Sequence, residues 1–202
     1  MEQPPKISNL NMVIDYGMKL SGGECSLAAL RLAESVLPAY EAATSDDRVR
    51  RALCSVLERP DVTYLVADIA DELHREFQTL TGSANRRATL CGFSAANSAK
   101  FALYNLAEPN FDRSYGFAQA AYYAAMTQSA IDGWEPTPPN HQWDGEFNWA
   151  EVNRVLLRVW LEDVLGAKQD NLIQQWFDGL PNANRVISDC LEEHGFPRID
   201  VD

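Results

Sequence analysis

Between Ser83 and Ala107 the chain reads SANRRATLCGFSAANSAKFALYNLA, a run that is apolar on almost every side when wound as a helix. At about 100° per residue, Ala84, Ala88, Cys91, Ala95, Ala99, Ala102 and Leu106 fall in one narrow stripe. Small side chains there let a second helix come close. Leu90, Phe93, Phe101 and Tyr104 project large apolar groups on the opposite side, and only Arg86, Arg87, Asn97 and Lys100 remain for water. A helix of this kind belongs in the middle of a protein. The expected fold is all-α, a single bundle of about seven or eight helices around this central Ala-rich helix, 83–107.

The remaining segments fit around it. Residues 1–23, with Pro4-Pro5 and a Gly22-Gly23 break, are expected as an N-terminal arm lying extended on the bundle, whose core spans 24–131. From Glu24 to Glu41, Leu27, Leu30, Ala33, Val36, Leu37 and Tyr40 recur at helical spacing, and Pro38 is expected to kink or stop the helix. Ser45 reads as an N-cap ahead of Asp46 and Asp47, opening a helix to about Leu57. Asp61 caps the next helix, where Val62, Leu65, Val66, Ile69, Leu73, Phe77 and Leu80 form an apolar stripe closed by Gly82. Ser114 to Ile131 carries no charge and reads as a second buried helix, too polar at Gln119, Thr127, Gln128 and Ser129 for a bilayer. Residues 132–147, DGWEPTPPNHQWDGEF, form a Pro/Trp-rich acidic loop. Residues 148–202 are expected as C-terminal helices packed on the same bundle. There Asn148 and Glu151 read as a capping box, followed by helices to about Leu165, near Asn171–Asp178 and over Ala183–Glu193.

Charge is uneven. Of the net −12, residues 109–202 carry −9 and residues 1–108 only −3. Phosphate binding draws on Lys and Arg, so a nucleic-acid partner is not expected, whereas a basic protein partner is easily attracted. Cys25, Cys54, Cys91 and Cys190 form no Cys-x-x-Cys pair and read as buried free thiols in a reducing compartment. The first residues lack a continuous apolar stretch and no run of about 18 apolar residues exists, so no membrane association and a cytoplasmic location are the expectation.

Reactive constellations are weak. Ser94 in Gly-Phe-Ser-Ala-Ala lies mid-helix, away from the strand-turn-helix that a nucleophile elbow needs. Asp71-x-x-His74 has no second pair of the kind that carboxylate-bridged metal bundles require. His141 with Asp144 and Glu146 is the one candidate acid–base or metal cluster, so an enzyme is the less favoured alternative, and no metal or cofactor is expected. The loop otherwise interleaves aromatics with acids. Trp134, Glu135, Trp143, Asp144 and Glu146 are the candidate partner-binding residues, because Trp buries much area and carboxylates steer a basic partner. The same tryptophans can instead fold back and plug the end of the bundle.

Residues 27–53 carry a likeness. An Ala/Leu-rich helix ends in Val36-Leu37-Pro38 with Tyr40 and Glu41, and Asp46, Arg48, Arg50 and Ala52 lead into the next helix. This opening resembles that of the Imm-five-like group of all-helical immunity proteins of bacterial polymorphic-toxin systems, and the likeness extends over about residues 24–131. After the second helix CSVLERPDV replaces the family's Trp- and Gly-containing continuation. The resemblance implies a non-catalytic cytoplasmic protein, monomer or homodimer, that binds and neutralises a cognate toxin, with a basic nuclease-like effector fitting the acidic charge. A helical scaffold or regulatory oligomer is the alternative. Arg48 and Arg50 are expected to brace the turn through Asp46 or Glu41 rather than to touch a toxin.

Overall fold

The computed structural model describes residues 1–56, 58–59, 61–80, 83–134, 147–166, 169–193 and 195–196. Among them stand nine α-helices and no strand: α1 Leu10–Gly17, α2 Gly22–Thr44, α3 Arg48–Ser55, α4 Val62–Thr79, α5 Ser83–Ala107, α6 Arg113–Ile131, α7 Ala150–Leu165, α8 Asp170–Phe177 and α9 Pro181–Glu193. Helix α5 is central, packing along α2, α4 and α6, while α2 and α6 also meet each other. Alanines close that three-helix contact. Ala28, Ala29 and Ala33 of α2, Ala95, Ala99 and Ala102 of α5, and Ala120, Ala121 and Ala124 of α6 are all fully buried. Side chains this small allow helix axes to reach the near end of the usual spacing of about 8–10 Å.

Polar groups inside this contact are tied down. Ser98 Oγ donates to the Ala120 carbonyl at 2.9 Å, linking α5 to α6, and the hydroxyls of Ser94 and Thr127 lie 2.8 Å apart. Asn97, expected to face water, is 2 % exposed and donates from Nδ2 to the Phe93 carbonyl at 3.0 Å. At the α5–α6 turn Asn105 Nδ2 donates to the Arg113 carbonyl at 3.1 Å, and Arg113 in turn donates to the Asn105 carbonyl and to Ser26 Oγ. Gly116 faces Asn105 so closely that a Cβ there would stand 2.1 Å from Asn105 Oδ1. Only glycine permits that approach.

Several local expectations give way to tertiary contacts. The segment before Gly22 contains a helix, α1, whose N-cap Asn9 accepts from the Met12 N–H. Ahead of it Ile7 is pinned to α7, its N–H donating to Asn153 Oδ1 at 2.7 Å and its carbonyl accepting from Asn153 Nδ2 at 2.9 Å. Helix α2 starts earlier than expected, at a capping box between Ser21 and Glu24, and continues through Pro38 to Thr44. The Pro38 ring faces solvent, while Leu37 and Tyr40 beside it are buried, so packing holds the helix where one backbone bond is lost. Ser45 is therefore the left-handed C-cap of α2, with φ 54°, rather than an N-cap. Leu65 leaves the α4 stripe and is 40 % exposed, its place taken by Thr63 and Ala70. The capping box at Asn148 does not form: Trp149 is the N-cap of α7, Asn148 Oδ1 accepts from the Ala150 N–H, and Glu151 pairs with Arg154. Of the four thiols, Cys25 and Cys91 are buried, Cys190 is half-buried and Cys54 is exposed.

Helix α7 bridges two apolar clusters. Val152, Val155, Leu156 and Val159 face the main core. Trp160 and Leu161, one turn on, join Ile173, Trp176, Ala183, Ile187 and Leu191 of α8 and α9 in a smaller one.

Candidate partner-binding face

Helix α4 buries Val62, Val66, Ile69, Ala70, Leu73 and Phe77 and turns the opposite arc to solvent. On that arc stand Asp68, Asp71, Glu72 and Glu76, with Arg75 the one cation among them. No basic group of the described residues comes within salt-bridge distance of these four carboxylates. Asp68 and Glu72, and Glu72 and Glu76, are like charges one helical turn apart, an arrangement that weakens a helix by about 0.2–0.5 kcal/mol per pair. Several acids elsewhere are matched: Glu34 to Arg31 at 2.9 Å, Glu151 to Arg154 and Glu162 to Arg158 at 2.8 and 2.9 Å.

One edge of the arc falls into a cleft of about 300 Å³ at the α2–α3 corner, lined among others by Tyr40, Thr44, Asp46, Arg48, Glu72 and Glu76. Residues of the α2–α3 turn line it together with residues of α4. Asp46 accepts from the Arg48 N–H at 2.8 Å, from Arg48 Nε at 2.5 Å and from the Tyr40 hydroxyl at 3.0 Å. Burial pushes the Asp46 carboxyl up, and these three bonds outweigh it, holding the group below its ordinary value. Burial, then the bond to Asp46, pushes the Tyr40 hydroxyl up to about 12. Arg50 grips Glu41 with Nε at 2.5 Å and Nη2 at 3.0 Å, which holds that carboxyl low. Both arginines brace the turn.

Beyond the other edge lies an aromatic surface. Phe101 and Tyr104 of α5 and Phe111 and Tyr115, from the turn and from α6, form one contiguous set with ring centroids 5.3–6.5 Å apart. Tyr115 is 50 % exposed and the other three half-buried. Lys100 Nζ sits 5.2 Å from the Phe101 ring centre, and burial lowers its pKa against the opposing pull of Asp71.

The residues singled out from sequence fall differently. Trp134 is half-buried against the main core, edge-on to Phe147 at 5.0 Å, and Phe147 meets Tyr122 at 5.2 Å and Trp149 at 6.4 Å. Phe147 and Trp149 are buried, so this end of the loop folds back onto the bundle. Glu135, Trp143, Asp144 and Glu146, with His141, lie outside the described residues. Ser94 is fully buried and donates to the Leu90 carbonyl at 2.8 Å. His74 lies tilted against the Phe93 ring at 5.0 Å and meets Gln78 through Nε2, apart from the exposed Asp71 carboxylate. Among the described residues no three His, Cys, Asp or Glu side chains gather into a metal-binding group, and no helix is long and apolar enough to cross a membrane. In comparisons with protein families, curated proteins and solved structures, nothing matches this chain.

Proposed function

We propose that this chain is an immunity-type binding protein that docks on a cognate bacterial toxin with a basic surface and neutralises it by covering that surface. The carrying observation is the α4 arc, where Asp68, Asp71, Glu72 and Glu76 stand close together on one helix face and no described base comes within salt-bridge distance of them. A partner bringing lysines or arginines relieves that repulsion, and the net −12 of the chain accelerates the encounter. Covering a nuclease-like effector in this way occupies the cations that would otherwise hold phosphates. The likeness of residues 24–131 to the Imm-five-like group points to the same role. The corner residues Asp46, Arg48 and Arg50 contribute by fixing the cleft beside α4.

The test is co-expression with the toxin encoded by a neighbouring gene. Cells carrying both are expected to grow where the toxin alone kills. Continued killing, with this protein folded and abundant, rules the reading out.

A further inference from the structure

We infer that the rings of Phe101, Tyr104, Phe111 and Tyr115 are the docking platform for an arginine side chain presented by the basic partner, a step that rests on the reading just given. Four aromatic side chains linked ring to ring, one of them half exposed, form an apolar surface at the α5–α6 hairpin, anchored where Phe101 stacks on Tyr123 at 5.9 Å. Exposed clusters of large apolar groups are characteristic of binding sites.

Charge selects the occupant. Burial raises the pKa of the Tyr104 hydroxyl, and the neighbouring groups that raise it further are Tyr64, Glu108, Asp71 and Asp68. The platform is thus fringed by three carboxylates, none with a described base in salt-bridge reach. The rings already receive one cation from the chain itself, Lys100 against Phe101, so their faces are usable by a positive group. Arginine fits better than lysine. Its planar guanidinium stacks on a ring while its N–H fork meets a carboxylate, and it sheds water more readily than an ammonium. Tyr64, 65 % exposed on α4, extends the surface from the rings toward the acid row. One face then offers stacking at one end and ion pairing along its length.

The test is a titration of the full-length protein with a short arginine–glycine peptide, read by the aromatic NMR resonances at about 0.15 M salt, where distant surface charges are screened. A lysine–glycine peptide of equal length is the control. The arginine peptide is expected to shift Phe101, Tyr104, Phe111 and Tyr115 saturably and to bind at least about threefold tighter than the lysine peptide. Tyr104→Ser with Tyr115→Ser is expected to weaken it about tenfold, circular dichroism confirming that the helices persist. Equal binding of the two peptides, shifts scattered over the acids of α7–α9, or an unchanged affinity in the double variant each overturns the platform. So does sedimentation showing a dimer that Tyr115→Ser dissolves, which would give the surface to a second copy. Co-expression separates the two ideas: undiminished protection by the double variant removes the platform alone, whereas absent protection despite ring-specific peptide binding removes the toxin.

Discussion

Helices α4 and α5 lie side by side and treat their polar side chains in opposite ways. Helix α5 buries Ser94, Asn97, Ser98 and Asn105 and ties each to a backbone carbonyl, two of them on another turn or helix. Helix α4 exposes Asp68, Asp71, Glu72 and Glu76 and ties none to a described base. Buried polar groups bonded across a helix contact set distances and angles, because leaving one unbonded costs about 1–3 kcal/mol, a cost that Asn105 Oδ1 still carries. Exposed like charges in a row set nothing inside the molecule. The first helix therefore specifies the fold, and the second is available to act outside it.

The widest separation between the two should come from charge reversal. Asp68→Lys, Asp71→Lys and Glu76→Lys together are expected to abolish protection in co-expression. Surface exchanges of this kind shift stability by no more than about 0.5 kcal/mol each, so the thermal midpoint should move by no more than roughly 3–6 °C. A variant that unfolds, or one that still protects, breaks the comparison. On α5 the expected outcome inverts. Ser98→Leu removes the bond to the Ala120 carbonyl and forces extra carbon into the α5–α6 contact, where Ala99, Ala120, Ala121 and Ala124 leave no room. A loss of about 3 kcal/mol is expected from overpacking, or roughly 6–12 °C in Tm for a chain of this size. Calorimetry showing a change under about 1 kcal/mol would mean that the contact is slack.

The comparison was only half visible in the linear chain. Helix α5 announces itself because an Ala stripe, large apolar groups opposite and few charges coincide over 25 residues. Asn97 was misjudged because periodicity assigns a face but not the reach of a side chain, and this amide bonds its own helix at Phe93. Ser45 and Asn148 are strong local signals for helix starts, and burial of neighbours such as Tyr40 and Trp149 overrules each; for the same reason Pro38 does not stop α2. Asp71 could be seen to point away from the apolar stripe of α4. That its row lacks close partners could not, since it takes tertiary pairing to commit Arg48 to Asp46 and Arg50 to Glu41. The aromatic platform combines Phe101 and Tyr104 from one helix with Phe111 and Tyr115 from across a turn. A signal existed, in that both pairs lie within about two turns of Pro109, in the segment between α5 and α6. Only the hairpin geometry makes one surface of them.

A smaller effect is expected at the α5–α6 turn. Gly116→Ala gains about 1 kcal/mol of helix propensity, but the new methyl would stand 2.1 Å from Asn105 Oδ1 and 2.5 Å from the Phe111 ring. Asn105 is fully buried and held by the Arg113 carbonyl, so it has little freedom to withdraw. A net loss of about 1–2 kcal/mol should result, with Tm lower by roughly 2–8 °C. A raised Tm would show that the polar turn yields, and that α5 does not hold its polar groups as tightly as the comparison requires.

The smallest effect concerns the corner where both kinds of acid meet, Asp46 paired and Glu72 unpaired in one cleft. Tyr40 has its pKa raised from 10.0 to about 12, chiefly by burial and then by its bond to Asp46. The unfolded chain therefore gives up this proton first. The stability that Tyr40 contributes is whole below pH 10 and drains away as pH rises toward 12. Tyr16 and Tyr123 are also raised by burial, so the wild-type curve alone does not isolate Tyr40. Tyr40→Phe does. At neutral pH the variant should lose about 1 kcal/mol with the hydrogen bond, and between pH 10 and 12 its denaturation curve should fall less steeply than that of the wild type. Parallel curves would mean that the Tyr40 hydroxyl is not held as drawn. Asp46 would then be held to the corner by Arg48 alone.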